Sequence, residues 1–160
     1  MRDTLTRDER GLSTAVTHVL TMGITTVLVA GLLVSSGTLI DHQTDRSAEQ
    51  SLETIGERLA GEITHVDRLA SDGDSVTVIA THPRTIAGST YRVGIEDSRT
   101  CAGEPLLDGS TVCLRLSSTD ADAEVFVPIS NESELNSESL VTGGTIEIEH
   151  NGTTNEIELQ

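Results

Sequence analysis

Two cysteines occur in the 160-residue sequence, Cys101 and Cys113, and they are the first candidates for chemistry. A structural zinc site needs four ligands, and the chain has no CxxC pair, so the cysteines are too few to form one. Outside the cytoplasm the natural use of such a pair is a disulfide, which would close the intervening loop and contribute about 2–3 kcal/mol. The alternative is a pair of free thiols, with Cys113 in the core.

The histidines are scattered and form no HxH or HExxH pattern, so the sequence predicts no metal site. They are His18, His42, His65, His82 and His150. Asp120, Asp122 and Glu124 resemble the start of a calcium loop, but Val125 replaces the glycine needed at its sixth position. We therefore predict a solvated loop there.

Motifs for catalysis are missing from the sequence as well. It has no GxSxG segment, no phosphate-binding glycine loop and no cysteine with an obvious histidine partner. We therefore expect that the protein is not an enzyme and needs no cofactor.

Two sequons for N-linked glycosylation are present, Asn131-Glu132-Ser133 and Asn151-Gly152-Thr153. Both fall in predicted loops, where a glycan could be accommodated. Such matches also arise by chance in a chain rich in Ser and Thr, so Asn131 and Asn151 are candidates for modification.

The composition is strongly acidic, with 26 Asp and Glu residues, a formal charge of −16, and Arg as the basic side chain in place of Lys. A net negative surface repels phosphate, which argues against a nucleic-acid partner. The acidic, lysine-free surface resembles that of proteins from salt-loving archaea, where salt screens the repulsion between charges. An acidic secreted protein is the alternative.

An apolar segment without Asp, Glu, Lys or Arg runs from Leu12 to Ile40. As a helix it would be roughly 43 Å long, enough to cross a hydrocarbon core of about 30 Å. It is about twice as long as the apolar stretch of a secretory signal peptide, so removal with such a peptide is disfavoured. An uncleaved signal anchor remains an alternative. Basic residues before the segment (Arg2, Arg7, Arg10) favour a single-pass protein of the cytoplasmic membrane with its N-terminus inside.

The residues around the start of this segment resemble the precursors of archaeal type IV pilins. Arg10-Gly11 followed by Leu12-Ser13 is similar to the site where their charged leader is cut, and residues 19–33 (VLTMGITTVLVAGLL) resemble the haloarchaeal pilin helix. Thr14 stands where haloarchaeal pilins often have Pro. The resemblance implies cleavage by a prepilin-type peptidase between Gly11 and Leu12, and packing of the helix against other pilin-like subunits.

Helical periodicity continues after the apolar segment, where aliphatic residues recur at steps of three and four. These residues are Ala48, Leu52, Ile55, Leu59, Ile63, Val66 and Leu69. The turn sequence SDGD (71–74) then predicts the end of the helix, with Gly73 as a candidate C-terminal cap.

Beyond this turn the period changes to two, which predicts strands at 75–81, 90–96, 111–117, 123–129, 145–149 and 155–159. Asn151-Gly152 predicts a hairpin between the last two. The predicted fold is therefore α+β, a long N-terminal helix followed by a small antiparallel sheet domain. Its parts are a charged leader (1–11), a transmembrane helix (12–40), an amphipathic helix (41–72) and an extracellular β domain (73–160).

We therefore expect a pilin-like, membrane-anchored cell-surface protein, a structural or adhesive subunit of a type IV pilus-like filament or complex. The alternative is an uncleaved, signal-anchored extracellular binding module, or an accessory subunit of a secretion apparatus, that does not polymerise.

Overall fold

The computed structural model describes the backbone of residues 5–70, 74–104, 107 and 109–160, and the side chains of these residues except those of 5–13 and 36–41. Helix α1 extends over Leu5–Leu69, and the short helix α2 over Ser98–Cys101. The strands are β1 (Val76–Thr81), β2 (Thr85–Ile86), β3 (Ser89–Glu96), β4 (Cys113–Ser118), β5 (Glu124–Pro128), β6 (Glu134–Leu135), β7 (Leu140–Thr142), β8 (Thr145–Asn151) and β9 (Glu156–Leu159). The α+β fold predicted from the sequence is thus confirmed.

The chain divides into two compact units, Met1–His42 and Gln43–Gln160, and helix α1 contributes residues to both. From residue 43 onward, the amphipathic part of α1 therefore belongs to the same unit as the sheets. Helix α1 begins at Leu5, so the backbone is already helical at Gly11, where the leader was expected to end. The candidate cap Gly73 lies outside the described residues.

The amphipathic stripe packs into the core of the second unit. Six of the seven predicted stripe residues are buried, from Ala48 to Val66, but Leu69 is 52% exposed. Ala70 is buried in its place. A step of four from Val66 rotates the helix by about 40°, and a step of three by about 60° in the opposite sense, so Ala70 lies nearer the stripe.

The strands form two sheets, and each of the six predicted strands is present with its ends shifted by a few residues. One sheet has the order β1-β8-β9-β6, in which β6 and β9 are parallel and the other pairs antiparallel. The other has the order β2-β3-β4-β5, with β7 paired to β3. The short strands β2, β6 and β7 were not predicted, because two or three residues are too few to establish a period.

One hydrophobic cluster joins the helix stripe to both sheets, with members from α1, β3, β4 and β8 such as Leu59, Val93, Leu116 and Ile148. Gly56 allows α1 to pack closely against β4 and β5. A Cβ atom at Gly56 would lie 2.7 Å from Cγ2 of Val127 and 2.9 Å from Cδ1 of Leu116.

The single tyrosine is fixed between elements of the second unit. Tyr91 is fully buried, and its hydroxyl donates a hydrogen bond of 2.7 Å to the carbonyl oxygen of Pro83. Gly143 lies against the ring so closely that any Cβ atom there would overlap it. The ring of Tyr91 therefore occupies the space that a side chain at position 143 would need.

Candidate functional site

Within the uncharged stretch 12–40, the structure shows a candidate membrane span from Thr14 to Ser35 of α1. From here on, the term apolar segment refers to these residues. It has 22 residues, and its most apolar window has a mean hydropathy of 1.9 with none of that window buried. At 1.5 Å per residue it is about 33 Å long, close to the thickness of a bilayer's hydrocarbon core. By length and composition the segment is able to span a membrane.

Three threonine hydroxyls of this segment are satisfied within the helix. The hydroxyls of Thr21, Thr25 and Thr26 each donate a hydrogen bond of 2.8 Å to the carbonyl oxygen four residues earlier. Such hydroxyls enter an apolar medium at little cost, because none is left without a partner. The threonines are therefore compatible with lipid as well as with a neighbouring helix.

The glycines of the segment leave open space at the helix surface. A Cβ atom at Gly23 or Gly31 would have no neighbour within 4 Å. In membranes, small residues allow the backbones of two helices to approach closely. The residues of the expected cleavage site, Gly11 and Leu12, lie within α1 but in the stretch whose side chains are outside the described residues.

The two cysteines meet in the second unit, where their sulfur atoms are 2.01 Å apart. This agrees with the disulfide that the sequence predicts. Cys101 ends helix α2 and Cys113 begins β4, and both are fully buried. The bond ties the α2 loop to the edge of the core.

Helix α2 is capped by Asp97, whose side chain accepts hydrogen bonds from the backbone N–H (2.9 Å) and the hydroxyl (2.8 Å) of Thr100. These hydrogen bonds hold the pKa of the Asp97 carboxyl below its usual value. The cap sets the position from which Cys101 reaches Cys113.

The acidic residues that resemble the start of a calcium loop, where the sequence predicts a solvated loop, do not converge on a common point. The carboxylate of Asp120 accepts a hydrogen bond of 3.1 Å from the hydroxyl of Ser89, whereas Glu124 pairs with Arg115 across β4 and β5. Among the described residues, no group of three or more His, Cys, Asp or Glu side chains could hold a metal ion.

A buried carboxylate that sequence reasoning missed lies near the end of α1. Asp67 is 6% exposed and accepts hydrogen bonds from the backbone N–H groups of Glu132 (2.7 Å) and Ser133 (3.0 Å). Burial raises the pKa of Asp67, but these hydrogen bonds and one from the Ser133 side chain outweigh it and hold the pKa below its usual value. Its spacing could have indicated this burial, because Asp67 lies four positions after the stripe residue Ile63 and so on a similar face of the helix.

Two histidines are also buried in this unit and make local contacts. Nε2 of His82 lies 3.0 Å from the carboxylate of Glu62 on α1. Nδ1 of His150 lies 2.9 Å from the carbonyl oxygen of Asp74, so the nitrogen donates and ties β8 to the chain two residues before β1. Both contacts serve packing between elements, and neither histidine is next to a nucleophile in the described chain.

An open groove of about 500 Å³ lies between α1 and the β2 hairpin of the second unit. Its lining residues are Ser47, Gln50, Ser51, Thr54, Ile55, Pro83, Thr85, Ile86 and Ala87. Hydroxyl and amide groups dominate the helix side, and among the described residues the lining side chains are uncharged. The groove therefore offers hydrogen-bonding groups.

The two sequons occupy different environments. Asn131 is half-buried beside Asp67, and its partner Ser133 is 6% exposed. Asn151 and Thr153 are both exposed, at the end of the β8–β9 hairpin that the sequence predicted.

In comparisons with known proteins, no curated protein and no solved structure matches the chain. A family profile described as a family of unknown function (DUF7266) matches residues 7–160. The match begins before the apolar segment and extends over the second unit and all but the first six residues of the first. Since it covers nearly the whole sequence, the chain belongs to the DUF7266 family.

Proposed function

We propose that the protein is a pilin-like, single-pass anchored protein of the cell surface with a structural or adhesive role. In this proposal the apolar segment spans the cytoplasmic membrane, the N-terminus is inside, and the unit 43–160 lies outside. A prepilin-type peptidase cuts the precursor between Gly11 and Leu12. The trimmed helix then packs against other pilin-like subunits.

The observation that carries the proposal is the exposure of the aliphatic side chains along the apolar segment. Side chains such as Leu20, Val27, Leu32 and Val34 are between 62% and 74% exposed. An apolar surface of this size is not stable in water, so either lipid or another helix must cover it. The hydrogen-bonded threonines and the open glycine positions support both environments.

The disulfide and the basic residues before the apolar segment support an extracellular position for the second unit. Disulfides persist in oxidising compartments and are rare in the cytosol. Positive residues precede the apolar segment, and an excess of Arg before a span favours retention of that end inside.

The alternative is an anchored binding module that keeps its leader and does not polymerise. The open groove beside β2 favours it, because a concave surface lined by hydroxyl and amide groups suits a small polar ligand. The unbroken helix through Gly11 is equally compatible with an uncut chain.

Mass spectrometry of the N-terminus, on protein from native membranes, separates the two functions. A mature chain beginning at Leu12 supports the pilin-like function, and an intact leader contradicts the processing step. The variant Gly11→Val should abolish processing by altering the residue before the cut. Gly61→Ala, a glycine replacement on an exposed part of α1, should leave it unchanged.

Alkylation without reductant tests the expected compartment. If the unit 43–160 matures outside, the intact mass of the native protein stays unchanged, because Cys101 and Cys113 are bonded to each other. Two alkyl additions would show a reduced pair and argue against an oxidising location.

A further inference from the structure

The two sequons differ in whether the folded chain leaves their reacting atoms accessible. Transfer of a glycan to a sequon requires the side-chain nitrogen of Asn as the nucleophile and the hydroxyl of Ser or Thr two residues later for recognition. An acceptor site in a folded protein must therefore expose both groups at once. The sequence alone does not distinguish Asn131 from Asn151 in this respect.

At Asn131 both groups are already engaged. Nδ2 of Asn131 donates a hydrogen bond of 2.6 Å to the carbonyl oxygen of Ser133. The side chain of Ser133 hydrogen-bonds to Asp67, whose carboxylate also accepts from the backbone N–H groups of Glu132 and Ser133. Three hydrogen bonds to Asp67 thus hold the sequon against the end of α1, a fourth lies within the sequon, and its hydroxyl residue is buried.

At Asn151 the same groups point to solvent. Oδ1 of Asn151 accepts hydrogen bonds from the backbone N–H groups of Thr153 (2.9 Å) and Thr154 (3.4 Å), which leaves Nδ2 as the exposed end of the amide. Neither this nitrogen nor the Thr153 hydroxyl has a hydrogen-bond partner in the part of the chain that the structure describes. Both residues are exposed.

The loop has room for a bulky group. Its exposed residues continue from Thr153 through Asn155, while the contacts that hold it, Gly152 N–H to the Ser75 hydroxyl and Asn155 N–H to the Asn151 carbonyl, use backbone donors. A glycan on Nδ2 would therefore leave these hydrogen bonds and the buried residues of β8 intact.

We propose that Asn151 is the N-glycosylation site of this protein and that Asn131 stays unmodified. The glycan donor is a lipid-phosphate-linked oligosaccharide. Nδ2 of Asn151 forms a bond to the anomeric carbon of the first sugar, the bond between that carbon and the phosphate oxygen breaks, and the lipid phosphate leaves. One Nδ2 proton passes to a base of the transferase. The inference rests on the proposed extracellular position of the unit 43–160.

Peptide mass spectrometry of the full chain from native membranes tests the site. We expect a glycan mass on the peptide with Asn151 and an unmodified peptide with Asn131. Asn151→Gln should remove all glycan, and Asn131→Gln should change nothing. Thr153→Ala should remove the glycan while keeping Asn151, and Thr153→Ser should retain it, since the recognised feature is the hydroxyl. Asn151 and Thr153 are exposed, so the variants at these two positions should fold.

A bare Asn151 overturns the inference, and so does a glycan on Asn131, since that would mean modification without regard to the folded geometry. The N-terminal mass from the same sample keeps the two proposals apart. A chain beginning at Leu12 with a bare Asn151 contradicts the glycosylation site alone. A glycan on Asn151 together with an intact leader supports the site and contradicts only the trimming step.

Discussion

Helix α1 contains two aliphatic stretches, one exposed and one buried. The apolar segment, 14–35, has exposed apolar side chains on all sides, and none of its most apolar window is buried. Between residues 48 and 66 the aliphatic side chains are confined to one stripe, and that stripe is buried against the sheets. A helix that is apolar all round needs an apolar surrounding, whereas a striped helix needs a single packing surface. The second stretch finds that surface in its own unit.

The difference separates two sources of stability. The second stretch gains from burial within its own unit, so its residues should govern the unfolding free energy of that unit. The apolar segment gains from whatever covers it, so its residues should govern association with lipid or with other helices. Substitutions matched between the two stretches test this division.

The largest effect is expected for truncation of a buried leucine. Leu59 is fully buried, whereas Leu28 is 62% exposed, and both lie in α1. Leu59→Ala should lower the free energy of unfolding by about 2–5 kcal/mol, because it leaves a cavity in the core. Leu28→Ala should change it by no more than about 0.5 kcal/mol. Urea unfolding of the full chain in detergent micelles, followed by circular dichroism, measures both, and equal losses would contradict the division.

A charge in the apolar segment should act on membrane insertion instead. Val27→Arg places a charge at the middle of the segment and should cost about 2.5–3.5 kcal/mol of insertion free energy. Glu53→Arg, on the exposed face of the second stretch, is the matched control and should leave insertion unchanged. Alkaline extraction of membranes measures the inserted fraction. Full retention of the Val27 variant would show that lipid does not surround this position.

Asp67 provides a pH test confined to the second unit. Its pKa is lower in the folded than in the unfolded chain, so its contribution is fully present above the unfolded value, near 4, and is lost as the pH falls through the folded value. Asp67→Asn should cost about 1.5–3 kcal/mol at pH 7, the range for hydrogen bonds to a charged group. Unfolding measured from pH 7 down to pH 2 should show the difference from the native protein shrinking. A constant difference would rule out the ionised carboxylate as the cause.

The smallest effects come from two glycines of the second stretch. Both Gly56→Ala and Gly61→Ala gain about 1 kcal/mol in helix propensity, but only at Gly56 would the methyl group meet Val127 and Leu116. Overpacking of this kind costs about 1–3 kcal/mol. Gly61→Ala should therefore raise the unfolding temperature and Gly56→Ala should not. Thermal unfolding followed by the helical circular-dichroism signal compares the two variants. Equal stabilisation would mean that the helix is not held tightly against β4 and β5.

Local patterns predicted most of the elements. Steps of three and four located the buried stripe, and alternation located the six longer strands, because each period arises from the geometry of a single element. Leu69 shows the limit of the method, since near the helix end the choice between it and Ala70 depends on rotation against the sheets. The strands β2, β6 and β7 were missed because their pairing partners, not their own sequences, make them strands.

For the candidate sites, the sequence by itself determined which residues were available: an uncharged apolar segment, two cysteines, two sequons and no catalytic motif. The tertiary structure alone decided how they are used. It brings Cys101 to Cys113, it places Asp67 where it fixes the Asn131 sequon, and it leaves Asn151 exposed. The reason is that hydrogen bonding and burial at these positions depend on residues far away in the chain, as in the contact between Asp67 and Ser133. Short-range periodicity carries no information about such contacts.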